Sequence, residues 1–107
     1  MYKFGDIVLL EFPFTSGLGS KKRPALVIID VNDGDVVVAR ITSRIVNTDF
    51  DVIINDWRAA GLLTPSIVRL HKIATLELTL VNRKIGELST ATLQNVRQNI
   101  LDITDNL

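Results

Sequence analysis

The stretch G19-S-K-K-R-P-A-L-V-I-I29 carries three consecutive cations, Lys21, Lys22 and Arg23, and then a proline and an unbroken aliphatic run. β-Branched and aliphatic residues in a run this short read as a buried strand, which the spacing places from Arg23 to Val31. Upstream, residues 14–22 form a loop in which Gly17 and Gly19 permit backbone conformations closed to other residues. A loop that delivers a guanidinium to the first residue of a strand is suited to holding a phosphate. Downstream, Asn32-Asp33-Gly34-Asp35 contains Asp-Gly, a strong hairpin signal, and a third strand follows from Asp35 to about Arg44.

That third strand changes character along its length. Alternation puts Val36, Val38, Arg40, Thr42 and Arg44 on one face and Val37, Ala39, Ile41 and Ser43 on the other. One face therefore turns from aliphatic to polar and basic, as a solvated sheet end or a groove lining would.

Working outward, Gly5 to Phe12 reads as a first strand covered on both faces, with Pro13 at its end because proline has no amide to give a ladder. Phe50 to Ile54 is a short strand. Asp56 to Gly61 reads as one or two helical turns, capped by Asn55 or Asp56 and stopped by Gly61. Ser66 to Lys72 is extended, with Arg69 and His71 two apart on one face. A turn near Ala74 to Glu77 leads to a strand over Leu80 to Leu88, its end weakened by Gly86. Ser89 is a good cap for a last helix, on which Leu93, Val96, Ile100 and Ile103 form one apolar stripe. Short, closely spaced strands with one terminal helix predict a mainly β, small, strongly bent barrel in a single domain, residues 1–107.

Bulk composition narrows the function. The chain has 107 residues, 47% of them hydrophobic, which suits one compact core. Twelve basic residues balance twelve acidic ones, so the molecule as a whole does not steer towards nucleic acid, although a local basic groove remains open. With no cysteine, there is neither a disulfide framework nor a cysteine nucleophile or metal ligand. No apolar run reaches the roughly 18–20 residues of a membrane span. Asp6 and Glu11 break the apolar N-terminal stretch, so it does not read as a signal peptide, and a cytoplasmic location is expected.

The segments GDIVLLEFPF (5–14), KKRPALVI (21–28), ARITS (39–43), AGLLTPSIVR (60–69) and RKIGELS (83–89) resemble, in order and from end to end, the MazF/PemK toxin family. The resemblance implies an SH3-like barrel with a C-terminal α-helix, assembled as a homodimer. It further implies the toxin of a type II toxin-antitoxin system: a sequence-selective, metal-independent endoribonuclease that cuts single-stranded RNA, mRNA included, and so inhibits translation and growth. The products would be a 2′,3′-cyclic phosphate and a 5′-hydroxyl, and no cofactor is implied. The implied partner is an antitoxin whose disordered C-terminal segment covers the RNA groove. The two residues most often assigned the chemistry match here as Arg23 and Thr42. Lys21, Lys22, Ser43, Arg44 and Arg69 are the RNA-binding candidates.

The chemistry is consistent with these residue types. A planar guanidinium at Arg23 can hold two phosphate oxygens, and Thr42 can donate a hydrogen bond from a stiff side chain. Proton transfer is harder to place on an arginine. His71 is the only histidine, and imidazole titrates near neutrality, so it is the third catalytic candidate. Some family members carry an aspartate at its place. The plainer readings are a solvated strand end for Arg23, a β-former for Thr42, a surface residue for His71, and ion pairs to Asp49 or Asp51 for Arg40 and Arg44. Trp57 reads as a packing anchor. Two other functions fit the same outline: a non-enzymatic module that poisons a gyrase-like target through the C-terminal helix, and a catalytically silent binder of RNA or antitoxin. Apolar strands such as Val36 to Val38 and Ile67 to Leu70 are expected to leave surface for a twofold partner.

Overall fold

The computed structural model describes residues 1–13 and 20–107; the expected glycine loop lies mostly outside them. Six strands form one antiparallel sheet: β1 (Asp6–Pro13), β2 (Ser20–Ile29), β3 (Asp35–Thr42), β4 (Asp51–Ile54), β5 (Ser66–Glu77) and β6 (Val81–Glu87). The order across the sheet is β4-β5-β3-β2-β1-β6. Among the described residues the ladder does not close, so β4 and β6 are its edges. A single helix, α1 (Thr90–Asp105), follows.

Alternation along the strands sends side chains to two separate cores. One contains Ile7, Leu26, Ala39, Ile41, Val68 and Leu70, together with Val96 of α1. Leu93, Ile100 and Ile103 pack on it from the same helix, which confirms the expected stripe. The other core contains Val8, Leu10, Ala25, Val27, Val36 and Val38, covered by Tyr2, Leu76, Leu78 and Val81. Leu26 and Ala25 are neighbours in sequence and face different cores, which explains why this strand reads as a continuous apolar run. Each fully buried aliphatic side chain contributes roughly 1.5–3 kcal/mol.

Several local readings hold in detail. The Ser89 hydroxyl accepts from the Thr92 amide at 3.3 Å and caps α1. The hairpin between β2 and β3 turns through Asn32 and Gly34, both with positive φ. Trp57 packs against the first core, and the Arg58 guanidinium lies 4.6 Å from its ring centroid. Residues 56–61 form a turn instead of a helix. The Leu62 amide donates to the Trp57 carbonyl (2.9 Å), the Gly61 amide to Arg58 (3.1 Å), and Gly61 has φ +87°. This is the Schellman arrangement, and Gly61 supplies the left-handed residue it needs.

Other boundaries differ from expectation. β2 begins at Ser20, so Lys21 and Lys22 belong to the strand, paired with Phe12 and Glu11 of β1. It ends at Ile29, where the hairpin takes over, and β3 stops at Thr42. The expected turn at 74–77 is strand, because β5 continues along β3 to Glu77; the reversal comes in a 3₁₀ turn, Leu78–Leu80. Between Ala39↔Ile73 and Arg40↔Arg69 the pairing of β3 with β5 skips residues 70–72, a bulge that bends β5. At Gly86 the pairing of β6 with β1 is irregular, passing from Ile7↔Gly86 to Val8↔Lys84, and the glycine also serves a close approach. A side chain there would meet the Ala60 carbonyl, and one at Gly61 would meet the Ile85 carbonyl, so these two backbones are in direct contact. The aliphatic residues expected to face a twofold partner are mostly core instead: Val36, Val38, Ile67, Val68 and Leu70 are all buried. The exposed large apolar residues include Ile29, Ile45, Phe50, Ile53 and Ile73.

Candidate active site on the cationic face

The sheet register lines up charged residues that are distant in sequence. Ala25 pairs with Arg40, Arg40 with Arg69, and Arg69 with Asp51, which makes one row across β2, β3, β5 and β4. Two residues further along, Leu10 pairs with Arg23 and Thr42 with Ile67. Continuing the Ala25↔Arg40 register by two positions puts Thr42 opposite Arg23 on the neighbouring strand. Cross-strand partners share a face, with backbones about 5 Å apart. Arg23 and Thr42, nineteen positions apart in the chain, are thereby brought together by the hairpin that joins their strands.

Beside them lies a pocket of about 480 Å³. Leu10, Ala25 and Val38 form its floor, and Lys21, Arg23, Arg40 and Lys72 supply its charge; among the described residues no carboxylate lines it. Arg23 and Arg40 are exposed and have no ion pair among the described residues. Thr42 is half-buried, and its Oγ1 accepts from the Arg44 amide at 3.1 Å. That contact occupies an acceptor position of the hydroxyl and leaves its proton available for donation.

The other candidates are dispersed. Lys22 sits one residue from Arg23 in an extended strand, so it faces the opposite side of the sheet. Ser43 and Arg44 are exposed just past the end of β3. Arg69 is committed: its Nε donates to Asp51 Oδ1 at 3.0 Å, in an interaction from which water is largely excluded, since the Asp51 side chain is 2% exposed. Arg40 and Arg44 therefore do not take Asp51. His71 lies in the β5 bulge, exposed, with its ring centroid 5.4 Å from that of Phe50. It does not line the pocket that holds Arg23.

Asp51 anchors this end of the sheet. Burial pushes its carboxyl up, but the Thr48 hydroxyl (2.7 Å), the Thr48 amide (3.0 Å) and the Arg69 guanidinium outweigh burial and hold it below the ordinary value of 3.8. A carboxyl depressed in the folded state contributes stability above its unfolded pKa and loses it as pH falls through the folded value. Denaturant titrations from pH 6 down to 2 are expected to show this loss below about pH 3.8. The loss should be smaller in Asp51→Asn. Arg69→Met, which leaves the carboxylate buried without its cation, is expected to destabilise by about 1–3 kcal/mol at neutral pH.

Two pocket residues escaped the sequence reading. Arg40 was placed by alternation on the face that turns basic, with RNA and an ion pair to Asp49 or Asp51 both open, and was not among the named site residues. Lys72 reaches the pocket through the bulge, for which the sequence gives no signal. Among the described residues, no group of three or more His, Asp or Glu is placed to hold a metal ion, and no helix is long and apolar enough to cross a membrane.

Comparison with known proteins supports the fold and the family. A family model described as PemK-like, MazF-like toxin of type II toxin-antitoxin system matches residues 3–104. Among solved structures, MazE-MazF (Form-II) from Deinococcus radiodurans has a TM-score of 0.79 at 21% identity, covering 97% of this chain and 96% of that one. An endoribonuclease in complex with its cognate antitoxin from Mycobacterial species gives 0.76 at 20% identity, covering 95% and 93%. The Mycobacterium tuberculosis toxin MazF-mt6 gives 0.73 at 22% identity, covering 92% and 96%. No curated protein matches the chain by sequence.

Proposed function

The chain belongs to the PemK-like, MazF-like toxin family of type II toxin-antitoxin systems, and from that premise we propose that it is a sequence-selective endoribonuclease acting on single-stranded RNA. The observation that carries the reading is Arg23 in a pocket lined by four cations, with no acid among the described lining residues, and Thr42 at the position that the continued register places opposite it. A carboxylate-free cationic pocket attracts a phosphodiester, and single-stranded RNA can lay its backbone and splayed bases into such a groove.

In the proposed reaction the ribose 2′-oxygen attacks the adjacent phosphorus, and the bond from phosphorus to the 5′-oxygen breaks. The products are a 2′,3′-cyclic phosphate and a 5′-hydroxyl, with no requirement for a metal. Arg23 holds two non-bridging oxygens as charge accumulates on them, and the Thr42 hydroxyl donates to one. The proton leaves the 2′-oxygen and a proton reaches the 5′-oxygen. His71 is the only imidazole, and it adjoins Lys72 of the pocket. If it moves one of those protons, His71→Ala flattens one limb of the pH–rate profile between pH 5 and 8. If it only packs against Phe50, the profile keeps its shape.

The same cations suit an acidic, disordered C-terminal segment of an antitoxin, which would compete with RNA for them. A homodimer is proposed as the working form, with the exposed Ile45, Phe50 and Ile53 near edge strand β4 as apolar surface for it. The binding-module alternative would use α1, whose polar residues Asn95, Gln98 and Asp102 are exposed, and among the described residues only Asn99 of that face bonds to another segment. Gln98 donates to Asp102 at 2.9 Å and Asn99 to the Asp49 carbonyl at 2.7 Å.

The test is incubation of the purified protein with a long single-stranded RNA in excess EDTA, followed by mapping of fragment ends. Discrete cuts ending in 2′,3′-cyclic phosphate are expected. Intact RNA in the presence of folded protein would remove the ribonuclease reading and direct the search to a protein target.

A further inference from the structure

We propose that the pocket beside Arg23 is a nucleobase site, in which one base of single-stranded RNA lies on the apolar floor while Arg40 and Lys72 hold the phosphates that flank it. The inference rests on the ribonuclease reading and assigns the pocket's occupant and three further residues, Arg40, Lys72 and Ala74. Its volume of about 480 Å³ exceeds what a lone phosphate needs and falls in the range of roughly 300–1,000 Å³ typical of small-ligand pockets. The lining is divided by chemistry. Pro24, Ile73, Ala74 and Leu76, over a floor of buried Leu10, Ala25 and Val38, offer apolar surface of the kind that accepts the face of a base. The cations come from three strands: Lys21 and Arg23 from β2, Arg40 from β3 and Lys72 from β5. A site for phosphate alone would not need the floor, and a site for an apolar side chain alone would not need four cations with no ion pair among the described residues.

Two features of the fold create this combination. The β5 bulge at residues 70–72 interrupts the pairing with β3 next to Arg40, and Lys72 there turns to the pocket instead of to a ladder partner. Just beyond it the ladder resumes, and Ala74 pairs with the buried Val38. Ala74 is exposed, so its methyl group limits the pocket without belonging to the core. A larger residue at 74 would fill the base's place while leaving all four cations present. Ala74 thus sets the size of base the pocket admits.

The experiment measures binding separately from cleavage. Mixed-sequence RNA hexamers with 2′-fluoro sugars lack the attacking hydroxyl, and their affinity is read by fluorescence anisotropy from 50 to 300 mM salt. Arg40→Ala and Lys72→Ala are each expected to reduce the slope of log affinity against log salt by about one phosphate equivalent. Ala74→Phe is expected to keep the slope and lose about tenfold in affinity, as removal of one stacked base would. In the cleavage assay, the same variant is expected to change which base is preferred at the cut. Phe is a good strand residue, and the melting curve and light-scattering mass of each variant establish that it is folded and unchanged in assembly. Unaltered affinity and cut preference in Ala74→Phe, with wild-type cleavage intact, would overturn the nucleobase site and leave the ribonuclease reading standing. Loss of self-association in Ala74→Phe would overturn it in favour of an interface between two copies. Retained RNA binding with loss of only an acidic antitoxin peptide would overturn it in favour of a peptide pocket. A wild-type protein that neither binds nor cuts RNA would overturn both.

Discussion

Arg23→Ala is expected to lower the single-turnover rate of RNA cleavage by about a thousandfold while leaving the melting temperature within experimental error. The first half follows from the work assigned to the guanidinium. It occupies the position opposite Thr42, where a guanidinium can neutralise charge across two phosphate oxygens, and removing one aimed donor from an anionic transition state costs about 10²–10³ in rate. The second half follows from exposure. Arg23 has no ion pair among the described residues and stands outside both cores, and surface changes of that kind shift stability by about 0.5 kcal/mol or less. Arg23→Lys should recover only a minor part, because an ammonium cannot make the paired, planar contact. Thr42→Val keeps the shape and removes the donor, so a smaller loss, of roughly tenfold to a hundredfold, is expected from one hydrogen bond to a charged group. A folded Arg23→Ala protein with undiminished activity would remove this residue from the mechanism.

The largest expected effect on stability is at Gly86. A methyl group there runs into the Ala60 carbonyl, and that carbonyl belongs to the turn whose geometry Gly61 fixes with φ +87°. Both colliding partners are backbone, so no side chain can swing aside. The turn also positions Asp56, whose Oδ1 accepts from the Thr92 hydroxyl at the start of α1 (3.2 Å). Displacing it would loosen the helix from the first core. Gly86→Ala is expected to lose about 4 kcal/mol or more in a urea titration, a magnitude reserved for steric or buried-group failures. Gly34→Ala is the internal comparison. It has a similar φ of +92° but nothing within 4 Å of the added carbon, so only backbone strain of about 1–2 kcal/mol applies. Equal effects at the two positions would show that close approach is not what fixes Gly86.

The contrast between these glycines bears on what the chain discloses before folding. Gly34 announces itself through Asn-Asp-Gly between two apolar runs, a local signal of a local turn. Gly86 faces a segment 26 residues upstream, and its requirement exists only when Ala60 arrives. The same division applies to the site. The placement of Arg23 and Thr42 on neighbouring strands was legible because each is at the polar end of a strongly patterned strand and the family motifs RPALVI and ITS contain them. Arg69 looked like a free cation because nothing in SIVRLHK indicates that Asp51 will be its ladder partner. The placement of Lys72 in the pocket was not legible, because alternation assumes an unbroken strand and the bulge shifts the residues in it. The apolar runs 36–38 and 67–70 read as spare surface because a chain with two cores needs more buried positions than a one-sided sheet. Alternation identified the faces correctly and left open that both would be covered.

The most direct test of the account uses an RNA whose cut has been mapped with the wild-type protein. The same RNA is made with a single 2′-deoxyribose at the nucleotide that carries the attacking hydroxyl. The account predicts that this one substitution abolishes that cut, that binding is retained, and that cuts elsewhere in the strand continue. Persistence of the cut at the deoxy position would mean that an external nucleophile attacks the phosphorus, and would contradict the assignment of Arg23 and Thr42 to an internal transesterification.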